Sequence, residues 1–409
     1  MEAAPATAAV EVIEDGTVTT PSGFRAGAVY AGIKTAGDGK LDVALLASDT
    51  PCSAAAMFTR NNVKGAPVLV SQEHVADGRL QAIVVNAGIA NVAMGATGMA
   101  NAREMCDLAG RKLGIAASDV LVGSTGIIGK PLPMEKIRDG IARIALRADG
   151  GDEFARAIMT TDTHAKTLAV RVRCDDREYH IGAAAKGSGM IHPDMATMFC
   201  FITTDAPAER TFLVGALRSA VDDSLNMISV DNDTSTSDTT AILANGAAGG
   251  DRIDDVHPAA SAFRAGLRTI CIEMAKMLAR DGEGAEKLIE VRVEGAASDA
   301  DARAAARTIS ASPLVKTAVH GNDPNWGRLL MAAGRSGARL DLARTRVWLG
   351  DTAVFAGEPL AYDERAACDE LRGADVLLRI DLGCGDAVAT AWGCDMTTDY
   401  VRINSDYTT

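Results

Sequence analysis

The residues best suited to chemistry lie in one stretch, AAAKGSGMIHPDMATMFCFITTDA, from Ala183 to Ala206. Lys186-Gly187-Ser188-Gly189 offers a cation on a turn whose glycines let a ligand or another backbone approach closely. His192-Pro193-Asp194 makes a second turn, and Met198 to Thr203 continues as an apolar run that reads as a buried strand. Between turn and strand stands Ala196-Thr197. A small residue before a threonine at the start of a buried strand suits an autocatalytic nucleophile. The hydroxyl can reach the preceding carbonyl, and the small neighbour leaves room for a tetrahedral intermediate. After cleavage the new α-amine, with an unperturbed pKa of about 7.7–8.0, can serve as base for its own hydroxyl. The bland alternative is a threonine that only begins a strand, and residue type leaves both open.

Other suggestive motifs fail on their spacing. Gly123 to Lys130, GSTGIIGK, resembles a phosphate loop but puts five residues between Gly123 and Gly129, and Pro131 follows the lysine where Ser or Thr must hold magnesium. Asp231 to Asp238, DNDTSTSD, begins like a calcium loop, yet Thr236 occupies the glycine position and Ile242 the bidentate glutamate position. The six histidines never pair at i, i+4 and have no cysteine at ligand spacing, so zinc has no support. No G-x-S-x-G elbow occurs, which argues against a common α/β serine hydrolase.

The elements that must hold the active stretch are aliphatic. Of 409 residues 47% are hydrophobic but only 4% aromatic, with 40 glycines, so the cores are built from small side chains. This length predicts two domains or one large layered one. Short apolar runs predict strands at Leu41 to Ala47, Leu80 to Val85 and Leu168 to Cys174. Closing strands are expected at Val376 to Asp381, Ala387 to Trp392 and Tyr400 to Ile403. Helical periodicity covers Met99 to Leu113, Thr211 to Ile228 and Ala260 to Arg280, the last stopping at Asp281-Gly282. Residues 1 to about 16 read as a mobile arm. Alternation of strand and helix is too irregular for a doubly wound sheet, and a layered α+β or sandwiched α/β architecture fits better.

Composition narrows the partners. Fifty-four acidic against 41 basic residues give a net charge of −13, with no basic run longer than two, which excludes nucleic acid and anionic membrane surfaces as partners. No window approaches 18 consecutive apolar residues, and the acidic N-terminus is neither a secretory signal nor a transit peptide, so the expected location is cytoplasmic. The eight cysteines form no C-x-x-C pair and read as reduced, mostly buried small hydrophobes.

The Lys186 to Met198 run, K-G-x-G-M-x-x-P-x-x-A-T-M, closely resembles the cleavage segment of the self-processing glutamate N-acetyltransferase family, also called ornithine acetyltransferases. Further blocks resemble that family in the same order: SGFRAGAVYAGIK (22–34), FTRNNVKGAPV (58–68), GSTGIIG (123–129), MTTDT (159–163) and SVDNDTSTSDT (229–239). DGEGAEK (281–287), GNDPNWGR (321–328) and the tail YVRINSDYTT complete the series. Ala87 and Ile89 replace the family's usual Ser and Asn, and Asn232 and Ser237 replace Gly and Asn.

The resemblance implies an αββα-type sandwich of the N-terminal-nucleophile architecture shared with certain aminopeptidases. It implies arginine-biosynthesis chemistry, in which acetyl passes from N2-acetylornithine to glutamate through an acetyl-threonine intermediate. Thr197 matches the nucleophile, with cleavage after Ala196 giving an α chain of 1–196 and a β chain of 197–409. Thr125 and Gly126 match the oxyanion donors. Thr160, Lys186, Thr197, Glu283, Asn404 and Thr409 match substrate-binding positions, with Thr161 and Thr163 close rivals of Thr160. No metal or cofactor is implied, although acetyl-CoA is a second acetyl donor in some members, and the two chains pair as α2β2. A related amidase or aminopeptidase, passing the acyl group to water, is the alternative, but those relatives usually place Ser at the cleavage point. The 229–239 block reads as a structural turn rather than a substrate wall. Asn322 is a candidate for positioning the α-amine, and Trp326 is expected to pack at a helix start.

Overall fold

The computed structural model describes residues 9–34, 37–174, 177–192 and 198–406, so Ala196, Thr197 and Thr409 lie outside the described residues. The described strands are β1 (Ala9–Ile13), β2 (Phe24–Val29), β3 (Val43–Phe58), β4 (Arg79–Ile89), β5 (Val120–Ile127), β6 (Lys166–Cys174), β7 (Arg177–Lys186) and β8 (Phe199–Thr204). They continue as β9 (Ile228–Ser229), β10 (Thr239–Ala244), β11 (Leu288–Ala296), β12 (Arg346–Leu349), β13 (Thr352–Ala356), β14 (Asp375–Asp381) and β15 (Ala387–Cys394). The helices begin with α1 (Ala66–His74), α2 (Gly95–Leu113), α3 (Met134–Arg143), α4 (Gly151–Ile158), α5 (Arg210–Asp222) and α6 (Ala260–Arg280). Then come α7 (Asp299–Ser310), α8 (Pro313–His320), α9 (Gly327–Gly334), α10 (Glu364–Glu370) and α11 (Thr398–Asp406).

Nine strands form one sheet in the order β1-β6-β7-β8-β10-β3-β4-β5, with β2 also paired to β3. Side-chain alternation explains its layering. Val43, Leu45 and Ala47 of β3, Val84 of β4, and Val120 and Val122 of β5 face α1, α2 and α3. The alternate residues Leu46, Ile83, Val85 and Leu121 instead pack on Phe199, Phe201, Ala241 and Leu243 of β8 and β10. The other faces of those two strands, Cys200, Ile202 and Ile242, are buried with α5 and α6. Strands buried on both faces read as continuous apolar runs, as these do. The two halves of this one sheet stack in the order helix, half-sheet, half-sheet, helix, the layering of the expected αββα sandwich. Where the two halves meet, a Cβ on Gly123 would lie 3.1 Å from the Phe199 ring, so a glycine sets their spacing.

A second sheet of six strands runs β13-β12-β14-β11-β15-β9, covered by α7. α6 joins the layers, since it packs on β6 and β7 of the first sheet and on β15 of the second. Its Phe263, Leu267, Ile270, Met274 and Leu278 are wholly buried, and the helix keeps the bounds expected from periodicity.

Three sequence expectations are corrected. Tyr400 to Ile403 lies in a helix, not a strand, because the Thr397 hydroxyl accepts the Asp399 and Tyr400 N–H groups at 3.1 and 3.4 Å and starts α11. The arm is shorter than about 16 residues, because Ala9–Ile13 pairs antiparallel with β6 and Glu11 meets Arg171 at 3.2 Å. The helix expected to reach Ile228 stops at Asp222, and Ile228–Ser229 instead pairs with β15. Six of the described cysteines are buried. No described helix is long and apolar enough to cross a membrane.

Candidate active site

Parallel pairing of β4 and β5 sets Gly88 opposite Gly126 at the strand ends. The loop from Ala31 to Lys34 lies on Gly88, held there by Asp42, whose carboxylate accepts the N–H groups of Ala31 at 2.7 Å and Ile33 at 2.5 Å. Thr125, one residue earlier and 7% exposed, turns its hydroxyl toward the end of β7. There the Lys186 ammonium donates to Thr125 Oγ1 at 2.9 Å. Burial pulls the Lys186 ammonium below its ordinary pKa, while Asp162, Asp238 and Glu283 pull it back up.

Beneath these groups sits a buried charge cluster that sequence reading missed. Lys166, fully buried, donates to Asp162 Oδ1 at 2.6 Å and to Asp281 Oδ2 at 2.5 Å. Asp162 also accepts the N–H of Gly187 at 2.6 Å and that of Thr160 at 2.9 Å. One carboxylate thus fixes both the lysine turn and the Thr160 backbone. Burial alone would raise the Asp162 pKa, but Lys166 and Lys186 outweigh it and hold the carboxyl at about 2, against an ordinary 3.8. Lys166→Met removes the partner of two buried carboxylates and should cost about 3–5 kcal/mol, read as a lowered denaturation midpoint. Because the folded Asp162 pKa is the lower one, its contribution is present above about pH 4 and lost as pH falls through about 2. The same melts should therefore lose about 2 kcal/mol over that acid window, and less in Lys166→Met.

Glu283 follows α6 and is 8% exposed. Its Oε2 accepts from Asn404 Nδ2 at 2.8 Å, which ties α11 to the site. A Cβ on Gly189 would fall 2.5 Å from the Glu283 carboxylate, so the second glycine of the lysine turn makes room for that acid.

The described candidates Thr125, Gly126, Thr160, Lys186, Glu283 and Asn404 all line one cleft of about 150 Å³. Thr161 lines it too, with its hydroxyl 2.6 Å from that of Ser188, whereas Thr163 hydrogen-bonds Asp281 and does not line it. The 229–239 block is more than the structural turn expected from sequence. Asp231, Asp233, Ser235, Thr236 and Ser237 form a wall of the cleft. Its structural part is real as well, since Asp231 accepts the Met190 and Ile191 N–H groups at 2.5 and 2.9 Å. The density of polar groups just before the apolar AILA run was the available signal. Asn322 lies elsewhere, its Oδ1 taken by Lys287 Nζ at 2.6 Å, so it does not position an amine in this cleft. Trp326 does pack at the start of α9, 5.3 Å from the Phe355 ring. Outside the cleft, Glu286, His320 and Asp395 come together from three distant segments, a grouping that local spacing cannot reveal.

The cleft combines one ammonium, three carboxylates and a hydroxyl–glycine pair on a strand end. Such a surface can bind a charged amino acid and stabilise an oxyanion.

The ArgJ family profile matches residues 25–409. The "Arginine biosynthesis bifunctional protein ArgJ" of Dehalococcoides mccartyi is 49% identical over 401 residues, 98% of this chain and 99% of that one. The protein of the same name from Symbiobacterium thermophilum is 52% identical over 397 residues, 96% of this chain and 99% of that one. A solved chain of the Mycobacterium tuberculosis ornithine acetyltransferase, in complex with ornithine, is 40% identical and covers 46% of this chain and 100% of its own, with a TM-score of 0.43. A profile match over nearly the whole length and these identities decide the assignment: this chain belongs to the ArgJ family.

Proposed function

We propose that the cleft moves an acetyl group from N2-acetylornithine to glutamate through an ester on Thr197. The chain is an acetyltransferase of arginine biosynthesis, as its family membership implies. The assignment of roles to residues is our reading, and one contact carries it. A lysine ammonium has only donors, so Thr125 Oγ1 must accept from Lys186 and its own O–H stays free to donate into the cleft. With the Gly126 N–H beside it, this makes a pair of donors for the oxyanion of acetyl transfer, worth roughly 3–4 kcal/mol each.

In this scheme Thr197 attacks the acetyl carbonyl, ornithine leaves, and glutamate enters to take the acetyl group from the ester. The Thr197 α-amine takes the hydroxyl proton and returns it to the leaving amine. Lys186 meets a substrate carboxylate, and Glu283, held by Asn404, meets an ammonium. Thr160 lines the same cleft, and Thr409 is proposed as a further contact. The precursor divides into 1–196 and 197–409, which assemble as α2β2 in the cytoplasm. Acetyl-CoA is proposed as a second donor, since the relatives are named bifunctional.

A denaturing mass spectrum tests the scheme first, because fragments that meet at 196/197 identify the nucleophile. Initial rates with both substrates varied should give parallel lines. Glu283→Gln should process normally and lose about one to two orders of magnitude in kcat/KM, the weight of one charge-assisted contact. If ornithine is released equally fast without glutamate, and free acetate accumulates, the protein is a hydrolase instead.

A further inference from the structure

The proposed α-amine base exists only after cleavage, so self-cleavage itself needs a different proton acceptor. Beside the cleft lies a smaller chamber of about 30 Å³, lined by Thr125, Lys186, Met198, Phe199, Ser237 and Asp238 among others. Asp238 is 2% exposed, yet its Oδ2 has no hydrogen-bond partner among the described residues. A buried, unsatisfied carboxylate oxygen is costly and calls for an explanation. The register places it. β8 and β10 run parallel with Phe199 opposite Thr239, and the Thr239 N–H donates to the Met198 carbonyl at 3.0 Å. Asp238 therefore enters the chamber alongside Met198, the residue directly after the proposed nucleophile.

Lys186, Glu283 and His192 are engaged elsewhere. Lys186 donates to Thr125, and Glu283 accepts from Asn404. His192 has its Nδ1 3.1 Å from Ser229 Oγ and its Nε2 3.3 Å from the Arg307 guanidinium, and it lines a separate recess.

We propose that Asp238 is the general base of self-cleavage, a role that rests on Thr197 being the nucleophile. The Asp238 carboxylate takes the Thr197 Oγ proton as Oγ bonds to the Ala196 carbonyl carbon. The proton then passes from Asp238 to the amide nitrogen as the bond between residues 196 and 197 breaks. This leaves an ester of the Ala196 carboxyl on Thr197 Oγ and a free α-amine. Water adds to the ester, its hydroxyl going to the acyl carbon and its proton to Oγ, which releases the α chain. At about 30 Å³ the chamber is large enough for that one water, which needs about 10–15 Å³ of such space. Burial raises the Asp238 pKa well above its ordinary 3.8, and Ser235 and the Lys186 ammonium pull the other way, toward the carboxylate.

The experiment is a time course of processing, followed by mass spectrometry on freshly synthesised full chain, with circular dichroism to show folding. Asp238→Asn should slow cleavage at least about 100-fold. Asp238→Ala should regain cleavage in proportion to added formate, and not with chloride, because formate fits where the carboxyl was. If Asp238→Asn fails to fold, the formate series decides. Wild-type processing of Asp238→Asn, or cleavage of Asp238→Ala that does not respond to formate, overturns the proposal. So does a Lys186→Met chain that stays uncut while the Asp238 variants process. Cleavage of Thr197→Ala would instead overturn the nucleophile assignment, so the two failures are distinct.

Discussion

Thr197→Ala should remain a single 409-residue chain and transfer no acetyl group. Both losses have one cause. The proposed nucleophile supplies the hydroxyl that cuts the chain and, once cut, the amine that activates the same hydroxyl. Alanine removes the first, so the second never forms. Thr197→Ser keeps both and should process while turning over more slowly. The check is a denaturing gel and mass spectrum beside a coupled assay of ornithine release. A Thr197→Ala chain that still splits at 196/197, or an uncut wild-type chain with full activity, would remove the proposed mechanism.

Gly126→Ala should lose at least about 10²–10³-fold in kcat, the effect of removing an oxyanion donor. The reason is geometric. Gly126 has φ of +121°, a conformation that side chains rarely adopt, and its Cβ would stand 2.3 Å from the Gly88 carbonyl carbon. Neither strand end can retreat, because Gly88 is itself covered by the Ala31 to Lys34 loop clamped on Asp42. The N–H at 126 must move, and the Thr125 hydroxyl with it. Gly114→Ala is the control. It also has positive φ, +70°, at the end of α2, but its Cβ would meet nothing within 4 Å. It should cost about 1 kcal/mol of stability and leave kcat unchanged. Equal losses in both variants would show that backbone strain, and not the position of the donor, accounts for the effect.

The acid cluster shows why part of the site was not legible. Lys166 and Asp162 are four residues apart, but Asp281 joins them across 115 residues of chain. In sequence, Lys166 begins an ordinary strand and Asp281 ends an ordinary helix. Their burial together follows only from α6 docking beside β6, and nothing local encodes it. The tail failed for a related reason. YVRI alternates like a strand, and the helix there depends on a cap from Thr397 and an anchor from Asn404 to Glu283. The 229–239 block was misjudged because polar turn residues look alike whether they satisfy only themselves or also face a cleft.

Sequence alone determined the things that depend on residue type and short spacing. These are the aliphatic strands, the period of α6, the glycine turns, the absence of phosphate and calcium loops, and the ordered blocks that resemble an acetyltransferase family. Such features are fixed within a few residues by propensity, sterics and side-chain chemistry. Tertiary structure decided what depends on distance through the fold. It joined Thr125 to Lys186 across 61 residues and Glu283 to Asn404 across 121, and it buried Asp238 with one oxygen unspent. Those pairings arise when the fold brings the ends of β5 and β7, the segment after α6, and α11 to one cleft, because each partner lies too far along the chain for local structure to place it.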